Sequence, residues 1–105
     1  MTKIDGGRAY ELATRAVREM ACGNGSLARR LRDAWIHHLM HLELPGVPWT
    51  DLAERYRDIA DYCRLDPRTD LLTIEGLPID DQKRIAGEIC ELCFFICERW
   101  PPRAE

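Results

Sequence analysis

The stretch that most limits how this chain folds is residues 35–44, WIHHLMHLEL, because apolar side chains occupy nearly every side of it when it is drawn as a helix. With about 100° between successive residues, the segment 27–44 presents one continuous apolar face. That face consists of Leu27, Leu31, Ala34, Trp35, His38 and Leu42. Since Pro45 removes a backbone donor and disfavours a helical residue before it, we predict a helix over 27–44.

A second apolar set lies on the opposite side of the same predicted helix, where Ile36, Met40 and Leu44 recur every four residues. Two arrangements explain it: a central helix surrounded by the others, or a face reserved for another chain. Phe95 adds an aromatic ring on the charged side of the last predicted helix. We predict that at least part of this set lies at an interface with a second copy, as a homodimer, or with a larger protein.

The overall pattern is one of amphipathic segments separated by Gly and Pro turns. With 105 residues, 46% of them hydrophobic, the chain suffices for one modest core. We predict an all-α, four-helix bundle-like single domain. Its helices are expected at about 8–22, 27–44, 51–63 and 78–99. The last helix carries the longest apolar stripe, Ile85, Ile89, Leu92 and Ile96.

The segment 65–77 is predicted to be the one longer loop, since turn signals interrupt it at both ends. We expect its apolar residues Leu71, Leu72 and Ile74 to hold it against the bundle. No strand is expected here, because the pattern offers no second strand for pairing.

The charge is unevenly distributed along the chain. Residues 1–38 hold seven Lys/Arg against four Asp/Glu, a balance of +3, which leaves −6 for the rest of a total of −3. These values exclude a strongly basic nucleic-acid binder. Five arginines still form a candidate basic patch for weak nucleic-acid binding, although acidic neighbours favour a solvated helix surface. They are Arg15, Arg18, Arg29, Arg30 and Arg32.

Apolar runs and cysteine usage indicate the cellular compartment of the protein. No apolar run approaches the roughly 20 residues of a membrane span, and the first residues lack the apolar core of a signal peptide. The five cysteines are odd in number and lie mostly inside helical patterns, which is typical of reduced thiols. We therefore expect a cytoplasmic protein.

Three of those cysteines, Cys90, Cys93 and Cys97, fall on one stripe of the last predicted helix. Together with Cys63 they resemble the Cys…Cys-x2-Cys-x5-Cys set of small helical iron–sulfur regulators of the WhiB type, which implies a thiol-ligated cluster. The last spacing differs, and the Gly-Trp-Gly turn of that family is absent. The other interpretation is core packing, which Ala86 on the same stripe favours because cysteine is also a small hydrophobe. We expect no bound cofactor.

The histidines are the remaining candidates for chemistry. His37 and His41 are four residues apart, the spacing with which a helix presents two imidazoles to one zinc ion. The Glu of a His-Glu-x-x-His motif is missing. His38 falls in the middle of the apolar face, where we expect a buried, neutral ring bonded to a backbone carbonyl, a Tyr or an Asp. Since the sequence carries no Gly-rich phosphate loop or nucleophile elbow, we predict a protein that is not an enzyme.

Three runs resemble a set of small uncharacterised bacterial all-helical proteins. They are SLARRLRDAWIHHLMHLELPGVP (26–48), DLAERYRDI (51–59) and IDDQKRIAGEICEL (79–92). The resemblance implies similar helix boundaries and equates His38 and His41 with the two histidines of that set, and it carries no activity. The patterns together favour a protein-binding module, such as a small accessory or regulatory subunit, or an inhibitor of a larger bacterial or phage-borne machine. A thiol-ligated sensor and a weak nucleic-acid binder are the alternatives.

Overall fold

The computed structural model describes residues 6–43 and 50–99. Within them the chain forms four α-helices, which confirms the predicted all-α, four-helix domain. These are α1 (Gly6–Cys22), α2 (Leu27–His37), α3 (Thr50–Asp61) and α4 (Ile79–Arg99). Three of the four lie within two residues of the predicted bounds at each end. The exception is α2.

The last helix, α4, is the centre of the packing, because α1, α2 and α3 all pack on it. Its predicted stripe is buried: Ile85, Ile89, Leu92 and Ile96 are each at most 1% exposed. Complete burial of one such side chain stabilises a fold by roughly 1.5–3 kcal/mol, so this stripe is a major source of stability.

Small residues let α1 lie close to its neighbours. Ala9, Ala13 and Ala16 are completely buried, and α1 packs on both α2 and α4. At its end the chain turns as predicted. A β-carbon at Gly23 would overlap the carbonyl oxygen of Glu19, and the Ser26 hydroxyl accepts a hydrogen bond from the Arg29 amide at 3.2 Å, which caps α2.

The end of α2 corrects the sequence prediction of a helix to residue 44. The α-helix stops at His37, His38 leaves helical geometry (φ −132°, ψ −65°), and a 3-10 turn follows over Leu39–His41. A continued helix would have placed the His38 ring in the core. The break turns that ring outward, while Leu39 and Leu42 stay buried.

A tyrosine of α3 satisfies the backbone at this break. The Tyr56 hydroxyl donates to the Leu39 carbonyl at 2.7 Å, and its ring stacks on Trp35 at 5.6 Å between centroids. Burial raises the pKa of Tyr56, so the hydroxyl remains a donor. The Leu39 carbonyl, which also accepts from the Leu42 amide at 3.0 Å, thus has a second partner that ties the 3-10 turn to α3.

The early helix end removes the second apolar face predicted on α2. Ile36 packs partly buried against the core, Met40 lies in the 3-10 turn with 53% exposure, and Leu44 is outside the described residues. The three positions therefore do not share one face of α2, and a role of Met40 at an interface stays a prediction.

The loop after α3 contains a hairpin, which the sequence prediction of no strand missed. β1 (Leu65–Asp66) pairs antiparallel with β2 (Leu71–Leu72), so the partner strand comes from the same loop. Asp70 adopts the left-handed region at φ 59°, which tightens the turn.

Contacts of this loop with the bundle match the prediction in two residues of three. Leu72 and Ile74 are buried as expected, whereas Leu71 is 46% exposed on the outer side of the hairpin. A second 3-10 turn, Thr73–Gly76, follows and positions Glu75 against α2.

Candidate functional site

An open groove of about 650 Å³ runs between α1 and α4, and its lining is almost entirely apolar. We call it the thiol groove. The α1 wall consists of Thr14, Val17, Arg18 and Cys22, and the α4 wall of Cys90, Cys93, Phe94 and Cys97.

The cysteines of α4 reach different depths in the thiol groove because each has a different angle to the core stripe. Cys93 is 1% exposed at the floor, Cys97 is half-buried, and Cys90 is exposed at the rim. The sequence grouped these three with Cys63. The structure groups them with Cys22 from the end of α1, whereas Cys63 is buried in the core after α3 and does not line the groove.

Burial keeps these thiols protonated. It raises the pKa of Cys93 to about 12, with further contributions from Cys90 and Cys97, and it also raises the pKa values of Cys90 and Cys97 themselves. The thiolate is the nucleophilic and metal-binding form of cysteine, so at neutral pH these groups act as small apolar side chains. In the described part of the chain, no three His, Cys, Asp or Glu side chains are arranged to hold one metal ion.

The exposed phenyl ring at the groove is Phe94, a residue that the sequence interpretation passed over. Phe94 is 60% exposed and contacts Phe95 edge to face at 5.9 Å. Phe95, predicted to stand alone among charges, is instead partly buried, and the Arg55 guanidinium covers its ring at 5.2 Å from the centroid. The reason is that α3 packs on that side of α4 and covers position 95 but not position 94.

The outward face of α1 continues the apolar surface of the thiol groove. Val17 lines the groove with 36% exposure, and Tyr10, two helical turns earlier on the same side, is 37% exposed. Thr14 lies between them on that face and Ala21 follows, so this stripe of α1 carries no charge.

His38 borders a second cavity, of about 340 Å³, which shares Arg18 and Cys22 with the thiol groove. Its ring nitrogen Nε2 lies 3.1 Å from a Glu19 carboxylate oxygen, and the two side chains are 16% and 30% exposed. The prediction of a buried ring bonded to a carbonyl, a Tyr or an Asp is therefore wrong in its burial and its partner. The partner comes from α1, and the ring is partly solvated.

Cys22 lines this second cavity as well, which places a thiol, an imidazole and a carboxylate around one space. Cys22 and His38 are not hydrogen-bonded to each other in this arrangement. Cys22 also lies at the C-terminal end of α1, whereas reactive cysteines are typical of helix N-termini. The groups do not form an activated nucleophile here.

The predicted zinc site of His37 and His41 required one continuous helix through both residues. Since α2 ends at His37 and His41 lies in the following 3-10 turn, the two exposed rings do not share a helix face. This candidate pair is not brought together.

The five arginines of the predicted basic patch have different roles. Arg30 donates to the Met20 carbonyl at 2.8 Å, and Arg32 binds Glu75 at 2.7 Å, so both belong to the packing. Arg15 lies 3.8 Å from Glu11. Of these five, only Arg18 and Arg29 are exposed and have no ion pair with a described residue. Two such arginines are too few for one continuous basic patch.

Comparison with protein-family models, with curated proteins and with solved structures finds no match for this chain. Among residues 6–43 and 50–99, no helix has the length and apolar character needed to cross a membrane. The functional assignment therefore depends on the geometry of the site, which is an apolar groove with neutral thiols at its floor and an exposed phenyl ring at its edge.

Proposed function

We propose that this protein acts by binding an α-helix of a protein partner in the thiol groove, without catalysing a reaction. The observation that carries the proposal is the groove itself, an open apolar surface of about 650 Å³ between two helices. Covering apolar surface is favourable by roughly 25 cal/mol per Å², and contiguous exposed apolar patches on small domains mark interaction sites.

The shape of the groove favours a helix as the occupant. Two packed helices form a long furrow, and an amphipathic helix fills such a furrow with side chains spaced three and four residues apart. Phe94, at the edge, is positioned to contact the occupant, since aromatic residues commonly dominate binding energy at interfaces.

The state of the thiols supports binding rather than chemistry. With their pKa values raised by burial, Cys90, Cys93 and Cys97 present neutral, polarisable surface to an apolar partner. A role as a small accessory or regulatory subunit follows from a module of this kind.

A thiol-ligated metal sensor is the second candidate, favoured by one observation, the presence of four cysteines along one groove. Metal binding requires the sulfurs to approach one another and to lose their protons. Losing the protons costs free energy, because burial raises the thiol pKa values. Metal analysis and absorbance near 400 nm after anaerobic purification separate the two candidates.

The test of the binding proposal compares two substitutions on the same helix. Phe94→Glu places a charge at the groove, whereas Ile79→Glu places one at a similarly exposed apolar position, 53% against 60%, at the start of α4. Proteins retained from extracts of the native host by the wild type and by Ile79→Glu should be lost with Phe94→Glu, while circular dichroism stays helical in all three. Equal retention by both variants would contradict the proposal.

A further inference from the structure

We infer that the helix occupying the thiol groove is α4 of a second copy of this chain, in a two-fold dimer in which each Phe94 enters the groove of the other protomer. This inference rests on the proposed function and names its partner. A two-fold interface uses the same surface twice, so that surface must carry both the projecting group and the recess. The α1–α4 face has both, since Phe94 stands 60% exposed beside the groove.

The middle of that face is uncharged on both helices, with Lys83 at the start of the α4 stripe and Glu98 at its end. The α1 stripe consists of Tyr10, Thr14, Val17 and Ala21, and the α4 stripe of Gly87, Cys90, Phe94 and Cys97. Charges would have to lose water on association, and here only the borders hold them. The face is therefore suited to close contact with another apolar face.

Gly87 is a second, independent observation on the same face. It lies in the interior of α4, is exposed, and has no atom within 4 Å of the place where a β-carbon would stand. The protomer's own packing thus gives no reason for a glycine, which destabilises a helix relative to alanine. Close approach of a helix from another protomer supplies that reason, because Gly87 lies two turns before Phe94 on the same side.

The charges at the two borders point to a second copy of this chain. Arg18 stands on the α1 border and Glu98 on α4, one turn after Phe94, and neither has an ion-pair partner among the described residues. The neighbouring cations Arg15, Arg55 and Arg84 are paired, whereas Lys83, one turn before Gly87, is a further exposed cation without an ion-pair partner among the described residues. In such a dimer α1 lies against α4 of the other protomer, which brings the Arg18 side of each protomer toward the Glu98 side of the other at two symmetric places.

The size of the face is close to what a dimer interface needs. Helices of 17 and 21 residues, side by side, present a face on the order of 25 Å by 20 Å. With its corrugation, the accessible area of such a face approaches the roughly 800 Å² per partner of a standard interface.

Sedimentation over a range of concentrations tests the inference on the full chain. The wild type should reach twice the 12.2 kDa mass of one chain. Phe94→Glu, Arg18→Glu and Glu98→Arg should each weaken the dimer by about tenfold or more, since every change acts at two symmetric places. The double reversal, Arg18→Glu with Glu98→Arg, should restore dimerisation, and Ile79→Glu should leave it unchanged.

Thiol protection gives a second readout. The rate at which Cys90 reacts with N-ethylmaleimide should fall as the protein concentration rises through the dimerisation range, and it should stay constant in Phe94→Glu. Circular dichroism of each variant establishes that it is folded.

The possible failures are distinguishable. A wild type that stays monomeric at all concentrations, or a dimer that Phe94→Glu and both charge reversals leave intact, overturns the second-copy inference. If such a protein still retains a host protein in a Phe94-dependent way, the proposed function stands with a different partner. If retention is also independent of Phe94, both fail.

Discussion

Two junctions of this fold differ in how their side chains are satisfied. Where the loop after β2 meets α2, one oxygen of Glu75 accepts from Arg32 at 2.7 Å and from the Leu72 amide at 2.6 Å, and Arg32 also donates to the Asp70 carbonyl at 3.0 Å. We call this the loop junction. The thiol groove has the opposite character, because its apolar side chains face open space. The polar groups of the loop junction bond to one another, so their role is to hold the fold together. The apolar side chains of the thiol groove have no partner within the described protomer, which is the character of a binding surface.

The largest expected effect concerns alkaline pH and the buried thiols. Burial raises the pKa values of Cys63 and Cys93 from 9.0 to about 12. Below pH 9 both are protonated in the folded and the unfolded chain, and stability is full. Above pH 9 the unfolded thiols ionise first, so stability falls with rising pH toward 12, by up to about 4 kcal/mol per thiol at about 1.4 kcal/mol per pKa unit.

Urea unfolding between pH 7 and 11 measures this loss. The variant Cys63→Ala with Cys93→Ala should show a flatter decline from a lower starting stability, whereas Cys22→Ala at an exposed position should follow the wild type. An unchanged slope in the double variant would show that other groups cause the alkaline loss.

Removing the carboxylate of the loop junction should have the next largest effect. Glu75→Ala removes the acceptor of the Leu72 amide and the ion-pair partner of Arg32, which keeps only the Asp70 carbonyl, and the Glu75 side chain is only 11% exposed. We expect a loss of about 2 kcal/mol in the free energy of unfolding. The matched control is Asp61→Ala, which removes an exposed ion pair with Arg64 and should cost less than about 0.5 kcal/mol. Equal losses would mean that the loop junction is no more than surface charge.

The two adjacent phenylalanines separate the sides of α4. Phe95→Ala should lower the free energy of unfolding by about 1–2 kcal/mol, because it removes packing against the core and the contact with Arg55. Phe94→Ala should change it by less than about 0.5 kcal/mol when measured on the monomer, since the ring is mostly in water. The reverse order in thermal or urea unfolding would place Phe94 in the core.

The smallest expected effect sharpens the description of the thiol groove. At pH 7.5 and at concentrations below the dimerisation range, N-ethylmaleimide should modify the exposed Cys22 and Cys90, while Cys63 and Cys93 remain protected until unfolding. Mass spectrometry of peptides reads the positions. The modified monomer should differ in stability by less than about 0.5 kcal/mol, and rapid labelling of Cys93 in the folded protein would show that the groove opens to its floor.

Local signals predicted the parts of the fold that local interactions decide. Gly23, Ser26 and the apolar stripe of α4 each act within a few residues, through turn conformation, capping and periodicity. The end of α2 depends instead on Glu19 and Tyr56, which are 19 and 17 residues away from their partners along the chain. Periodicity contains no information about such partners.

The candidate site was predicted only in part for the same reason. The stripe of Cys90, Cys93 and Cys97 follows from helical spacing, but the membership of Cys22 depends on how α1 packs on α4. Likewise, a helical wheel separates Phe94 from Phe95 by about 100° and does not say which of them α3 covers. The hairpin was missed because strands of two residues carry no periodic signal.

The three buried alanines of α1 limit how this chain diverges over evolution. Ala9, Ala13 and Ala16 are completely buried against close neighbours, so a larger side chain at any of them would force α1 away from the bundle. Descendants that keep the fold are expected to retain only very small residues at these positions. The outward positions of α1 are free of that restriction. If they contact α4 of a second protomer, substitutions at the two sets of positions should be correlated among related sequences.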